Sequence, residues 1–127
     1  MVVRFLLSAC AAAGLLAGMS GAALADGDAA AGKKVFNKCK VCHSLEAGEN
    51  KIGPSLAGVV GRAAGTVEGF KYSDAMSGAG LTWDEETLDK YLADPKGFIP
   101  GNKMAFAGLK KEADRENVIA YIESESD

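Results

Sequence analysis

Cys39-Lys40-Val41-Cys42-His43 constrains this chain more than any other stretch. Two cysteines two residues apart, followed at once by histidine, is the spacing that attaches a c-type haem. Each thiol adds across one of the porphyrin's two vinyl groups, and a short turn of helix sets the sulfurs the right distance apart. The same turn puts the His43 ring over the iron as an axial ligand. His43 is the chain's one histidine, so no other imidazole competes for that place. Other readings exist. A zinc site usually needs four Cys or His ligands, and this cluster offers three. A thioredoxin-like dithiol normally sits beside a βαβ pattern, which is absent. The remaining reading is a buried cysteine pair with a hydrogen-bonded core histidine. The spacing favours one covalently bound haem c.

The chain has 127 residues and reads as one domain behind a leader. Residues 1–25 carry Arg4, then an apolar stretch from Phe5 through Leu24, and end in Ala23-Leu24-Ala25, a small-x-small cleavage pattern. They read as a secretory signal peptide, with residues 26–127 as a monohaem domain. The apolar stretch is also close to membrane-spanning length, so an uncleaved anchor is the alternative. Leu7-Ser8-Ala9-Cys10 has the form of a lipoprotein box, but the apolar run continues past it. Cys10 leaves with the leader, and haem consumes the other two cysteines, so no disulfide is expected. Without Arg4 the mature domain holds 13 basic and 17 acidic residues, a net charge of −4 that gives no sign of nucleic-acid binding. Thirteen of its residues are glycine, nearly double the usual share of about 7%. So small a glycine-rich domain builds a thin apolar core, and a large flat cofactor would supply the missing surface.

Taken in order, Asp28 reads as the N-cap of a helix from Ala29 to about Lys40. Gly32, Val35, Phe36 and Cys39 share one face of it. Glycine inside a helix costs roughly 1 kcal/mol against alanine, which makes sense if another helix crosses there closely. Pro54 follows Gly53. Its carbonyl can accept from the second ring nitrogen of His43, or the pair is an ordinary Gly-Pro turn. Residues 59–77 read as irregular. Arg62, Tyr72 and Trp83 stand out as a surface arginine and two core aromatics, or, given haem, as donors to its buried propionates. Thr82-Trp83-Asp84-Glu85 has the form of a capping box before a helix to about Ala93. Pro95 opens a further short turn. Ile99-Pro100-Gly101-Asn102-Lys103 forms a rigid loop that would aim the Met104 sulfur at a metal. Met104 is therefore preferred to Met76 as the sixth iron ligand. The last helix spans Leu109 to about Ser124, with Val118, Tyr121 and Ile122 on its apolar side and the first helix as its mate. The acidic tail 123–127 is expected to fray. No long alternating run reads as a strand.

These segments together resemble a class I c-type cytochrome, similar to mitochondrial cytochrome c and to the bacterial cytochromes c2. The resemblance rests on the haem motif, Gly53-Pro54-Ser55-Leu56, Gly58-Val59-Val60-Gly61-Arg62, Gly69-Phe70-Lys71-Tyr72, Leu81-Thr82-Trp83, Tyr91-Leu92, Ile99 through Met104, and Ile119-Ala120-Tyr121. It spans nearly all of the mature sequence. It implies an all-α cytochrome c fold, four or five helices wrapped around one covalently bound haem, with the terminal helices crossing. It implies that Cys39 and Cys42 hold the haem and that His43 and Met104 are its axial ligands. Pro54 would accept from the His43 ring. Arg62, Tyr72 and Trp83 would serve the propionates, and Tyr91 would lie near the Met104 sulfur. Family members often have Thr where Asn102 stands, and Asn102 can still donate. They often have Asn where Met76 stands, and Met76 cannot join that polar network.

The implied function is one-electron transport and not catalysis. The chain would be a soluble periplasmic carrier between a bc1-type complex and a reaction centre or terminal oxidase. It would be monomeric and would dock through a lysine ring of Lys33, Lys38, Lys51, Lys96, Lys103, Lys110 and Lys111. Two other readings stay open at this level: a haem enzyme or gas-binding protein with an open sixth position, and a cytochrome tethered by its leader.

Overall fold

A computed structural model of the chain describes residues 27–126. The leader 1–25, with Cys10, lies outside the described residues. Five helices appear among them: α1 (Ala29–Phe36), α2 (Asp74–Ser77), α3 (Glu85–Ala93), α4 (Pro95–Phe98) and α5 (Glu112–Glu125). The only β pairing there is an isolated antiparallel bridge between Ala63 and Thr82. The fold is all-α. No described helix is long and apolar enough to cross a membrane.

Asp28 caps α1, accepting from the amides of Ala30 (2.9 Å) and Ala31 (3.4 Å). The helix ends at Phe36, four residues before the sequence-based limit. From there the chain tightens: Lys38 N bonds Val35 O at 3.1 Å and Cys39 N bonds Phe36 O at 2.8 Å, both i→i+3. The haem motif follows as its own turn, with the amides of Cys42 (3.1 Å) and His43 (2.9 Å) both donating to the Cys39 carbonyl.

Crossing of the terminal helices is the backbone of the fold. A Cβ on Gly32 would overlap the Asn117 carbonyl in α5, so only glycine permits the approach. The Phe36 and Tyr121 rings lie 5.4 Å apart at the crossing. Asp28 N donates to Asn117 Oδ1 at 2.8 Å and pins the open end. Behind this contact α5 buries Val118, Ile119 and Ile122.

Several boundaries differ from the sequence reading. Thr82 is not the cap of α3. It is held in the bridge to Ala63, flanked by Ala64 N to Leu81 O (2.8 Å) and Trp83 N to Arg62 O (2.8 Å). The cap passes to Asp84, whose carboxylate accepts from Thr87 N at 2.7 Å. This hydrogen bond, and after it one from the Thr87 side chain, hold the Asp84 carboxyl below its usual range. Residues 59–77 contain α2, which Ser73 caps through Met76 N at 3.1 Å. The last helix starts at Glu112, because Leu109 N is drawn away to Leu92 O at 2.7 Å. Residues 123–125 do not fray. Ser126 Oγ donates to Ile122 O at 2.8 Å and accepts from Gly58 N at 3.2 Å, which ties the end of α5 to the body.

Candidate functional site

An apolar cleft runs through the molecule between the haem motif and α5. Its walls include Cys39, Cys42, His43, Pro54, Leu56, Val59, Arg62, Tyr72, Met76, Trp83, Leu88, Tyr91, Met104, Ile119 and Ile122. The residues expected from the sequence to hold a cofactor, from Cys39 to Met104, all line this one cleft, although they span more than sixty positions of the chain.

His43 is oriented before any ligand arrives. Its Nδ1 lies 2.7 Å from the Pro54 carbonyl oxygen, which can only accept, so Nδ1 carries the proton. Burial lowers the pKa of the ring, against the upward pull of that hydrogen bond. The result is a neutral imidazole whose Nε2 lone pair is uncommitted, the form a metal ligand takes. Gly53 makes room for it, since a Cβ there would overlap the His43 ring. The sequence offered no cue that this glycine serves the imidazole and not the turn.

Burial, with Cys42 adding to it, pushes the Cys39 thiol up to about 11. A thioether formed at this sulfur carries no ionisable proton, so burial would not penalise it. Among the described residues no three His, Cys, Asp or Glu side chains gather as a metal cluster.

Met104 lies beside Tyr91, whose hydroxyl is 3.7 Å from the Met104 sulfur and donates to it. Burial pushes the Tyr91 phenol up to about 12, so it remains a donor across the physiological range. Tyr91 packs on Trp83 at 4.9 Å and on Phe98 at 6.5 Å, which fixes its ring.

Asn102 departs from the role implied for it. Its amide nitrogen donates to Pro95 O and Ile99 O, both at 2.8 Å, and its Oδ1 accepts from Met104 N at 2.9 Å. Both amide hydrogens are spent on the backbone, so none is left for a bound group. Asn102 is instead the brace of the Met104 loop. Lys96 Nζ adds a bond to the Asn102 carbonyl at 2.7 Å, a contact the sequence reading did not contain. Asn102→Ala leaves the buried loop's Met104 amide without its acceptor and takes one of two donors from each of the Pro95 and Ile99 carbonyls, which keep the amides of Ile99 and Asn102. It is expected to cost about 2–3 kcal/mol in a denaturant titration of the holoprotein, whereas a loss under about 0.5 kcal/mol would mean the loop is held by something else.

Arg62 donates to Ala57 O (2.9 Å) and Ser55 O (3.1 Å) through its terminal nitrogens. Its Nε has no partner, and it is the one buried side-chain nitrogen or oxygen of the described residues in that condition. An orphaned cationic donor at the wall of an apolar cleft calls for an anionic acceptor there. Tyr72 lines the same region, with its hydroxyl accepting from Val67 N at 3.0 Å. The cleft thus fits a large, flat, apolar group bearing acidic arms. That description matches haem c and neither of the zinc or dithiol readings.

Residues 29–126 match the family model described as cytochrome c. The chain belongs to the cytochrome c family. Cytochrome c2 iso-2 of Magnetospirillum fulvum is 68% identical over 89 residues, 70% of this chain and 93% of that one. Cytochrome c2 of Blastochloris viridis is 54% identical over 96 residues, 75% of this chain and 76% of that one. Among solved structures, cytochrome cH from Methylobacterium extorquens superposes with a TM-score of 0.73 at 46% identity, covering 77% of this chain and 99% of that one. As a cytochrome c of the c2 type, the chain is an electron carrier and not an enzyme, and it carries one covalently bound haem c.

One structural element of this cytochrome c was missed in the sequence altogether. Arg115 in α5 pairs with Asp89 in α3 at 2.7 Å and donates to Leu109 O (2.9 Å) and Lys110 O (3.0 Å). It fastens the end of the Met104 loop to the helix that carries Tyr91. No local pattern marks it, because the pair is separated by 26 residues.

Proposed function

We propose that the protein is exported, loses residues 1–25, and shuttles single electrons in the periplasm from a bc1-type complex to a reaction centre or terminal oxidase. The observation that carries this reading is the pairing of two committed donors on one cleft. The Pro54 carbonyl leaves His43 with only Nε2 to offer, and Tyr91 holds the Met104 thioether. Cys39 and Cys42 would hold the haem covalently, and His43 and Met104 would ligate its iron. When bound, haem c supplies a one-electron Fe(II)/Fe(III) couple.

The protein's own residues set how that couple behaves. A thioether ligand favours the softer ferrous state and raises the potential. The apolar wall of Leu56, Val59, Leu88, Ile119 and Ile122 acts in the same direction, because it disfavours the extra positive charge of the ferric state. Arg62 Nε, with Tyr72 and Trp83, would hold the propionates. His43 and Met104, each held by a hydrogen bond from or to the protein, would leave no position at the iron for a substrate.

Docking is assigned to the lysines. Lys33, Lys38, Lys51, Lys96, Lys103, Lys110 and Lys111 are all exposed, and Lys38 and Lys103 stand at the cleft mouth. Three of them are fixed in place by carbonyls: Lys51 by Lys40 (3.1 Å), Lys96 by Asn102, and Lys103 by Lys71, with the Lys103 ammonium also 5.1 Å above the Phe70 ring. A positive face on a net-negative protein steers it toward an acidic partner.

Lys38→Glu tests this without touching the Met104 loop. Its oxidation and reduction by membranes containing a bc1-type complex are expected to slow about tenfold at low ionic strength and to recover at high salt. Equal rates for parent and variant at low ionic strength would sink the docking assignment.

A further inference from the structure

We infer that Asn50 is a positioning residue for the iron couple: its side-chain oxygen polarises the Pro54–Ser55 peptide, and through it the His43 ring that would ligate the metal. This rests on the electron-carrier reading above, with His43 as an axial ligand. Two hydrogen bonds share one peptide unit here. The Pro54 carbonyl accepts from His43 Nδ1 at 2.7 Å. The amide of the same peptide, Ser55 N, donates to Asn50 Oδ1 at 3.0 Å. A peptide whose N–H is engaged carries more negative charge on its oxygen, and hydrogen bonds in a chain strengthen one another by roughly 10–30% each. Asn50 therefore makes the Pro54 oxygen a stronger acceptor than its position alone would.

Both ends of the Asn50 side chain are used. Its Nδ2 donates to Glu68 O at 3.1 Å. The Ser55 amide needs an acceptor and the Glu68 carbonyl needs a donor, so both contacts demand the same orientation of the side-chain amide. Ser55 is 3% exposed, which gives water little access to take the place of Asn50 at its amide. The backbone around this peptide is fixed by other bonds. Gly53 N donates to Cys42 O at 2.7 Å and Leu56 N to Ser44 O at 2.8 Å, one on each side of it. Ser55 Oγ adds a bond to Glu46 O at 2.6 Å. The peptide thus keeps its place without Asn50, and what Asn50 contributes is electronic.

A more strongly held Nδ1 proton makes the imidazole more basic at Nε2. A more basic ligand favours the ferric state, so Asn50 lowers the reduction potential. Met104 and the apolar wall act in the opposite direction, and Asn50 sets part of the balance. A carboxamide has no proton to lose or gain across the physiological pH range, so this setting does not titrate.

The test is spectroelectrochemical titration of the haem-loaded protein carrying Asn50→Leu or Asn50→Asp, beside the parent. Leucine has a similar shape and no acceptor. At a fixed ambient potential its Fe(II)/Fe(III) ratio is expected to rise about threefold, which is about 28 mV at about 59 mV per tenfold for one electron. Aspartate keeps an acceptor oxygen and adds negative charge, so its ratio should match the parent's or fall below it. Loss of mechanical support alone gives a different sign, because a loosened cleft admits water, stabilises the ferric state and lowers the ratio in both variants. NMR of the reduced protein supplies a second readout. The His43 Nδ1 proton should move upfield in Asn50→Leu and should not do so in Asn50→Asp. The inference is overturned if the Asn50→Leu ratio matches the parent's or falls, or if its Nδ1 proton does not move. Should Asn50→Leu yield no folded protein, Asn50→Asp decides alone: a ratio above the parent's, or an upfield Nδ1 proton, overturns the inference, and a ratio at or below the parent's with the proton in place or downfield supports it. A parent without the spectrum of a six-coordinate haem would defeat the His43–Met104 reading and the inference with it, whereas the failures named for the variants leave that reading intact.

Discussion

Gly32→Ala is expected to destabilise the holoprotein by about 3 kcal/mol or more, and to lower the yield of folded protein. Two effects oppose each other at this position, and their sizes decide the outcome. Alanine is the better helix former by roughly 1 kcal/mol, so intrinsic preference alone predicts a gain. The added methyl, however, would overlap the Asn117 carbonyl, which is backbone and cannot rotate away, and would crowd the Tyr121 Cβ at 2.8 Å. The helices must part, which opens the Phe36–Tyr121 contact and loosens the layer of Val118, Ile119 and Ile122 behind it. A total stability of about 5–15 kcal/mol leaves little room for that loss. Guanidinium titration of parent and variant measures it directly. A neutral or stabilising alanine would mean that α1 and α5 do not meet as closely as described.

Met104→Leu is expected to remove the far-red absorption band of the ferric protein and to lower its reduction potential by on the order of 100 mV or more, within the roughly 0.8 V range that axial ligands span. Leucine keeps the volume and apolar character of the loop but offers no lone pair. Tyr91, buried and still protonated, loses its acceptor at the same time. The control is Met76→Leu. Met76 also lines the cleft, but its sulfur has no donor held against it comparable to the Tyr91 hydroxyl. The band should persist in that variant. Spectroelectrochemical titration of both proteins makes the comparison, and the reverse pattern would transfer the ligand role to Met76.

The chemistry of the site was legible in the sequence because it depends on covalent spacing. Cys39, Cys42 and His43 sit within one turn, and no fold is needed to see that they act together. Pro54 and Met104 were legible for a related reason, since proline and glycine restrict local backbone geometry enough to suggest an aimed carbonyl and an aimed sulfur. Helix α3 ends at Ala93, as read from the sequence, because Asp94-Pro95 follows it. What failed were other ends of elements. Thr82 looked like a cap until its backbone was claimed by Ala63, nineteen positions away, and Leu109 looked helical until Leu92 took its amide.

Asn102 shows the limit most clearly. Its residue type allowed two roles, donation to a cofactor or support of its own loop, and only the positions of the Pro95 and Ile99 carbonyls chose between them. Arg115 with Asp89, and Gly53 beneath the His43 ring, are of the same kind. The sequence alone pointed to a bound haem, and to Cys39, Cys42 and His43 as the residues that would hold it, because those atoms are linked through a few bonds. Only the tertiary structure decided which polar atoms are already satisfied and which, like Arg62 Nε, still need a partner. Satisfaction of a hydrogen-bonding group is a property of its neighbours in space, and those neighbours come from distant parts of the chain.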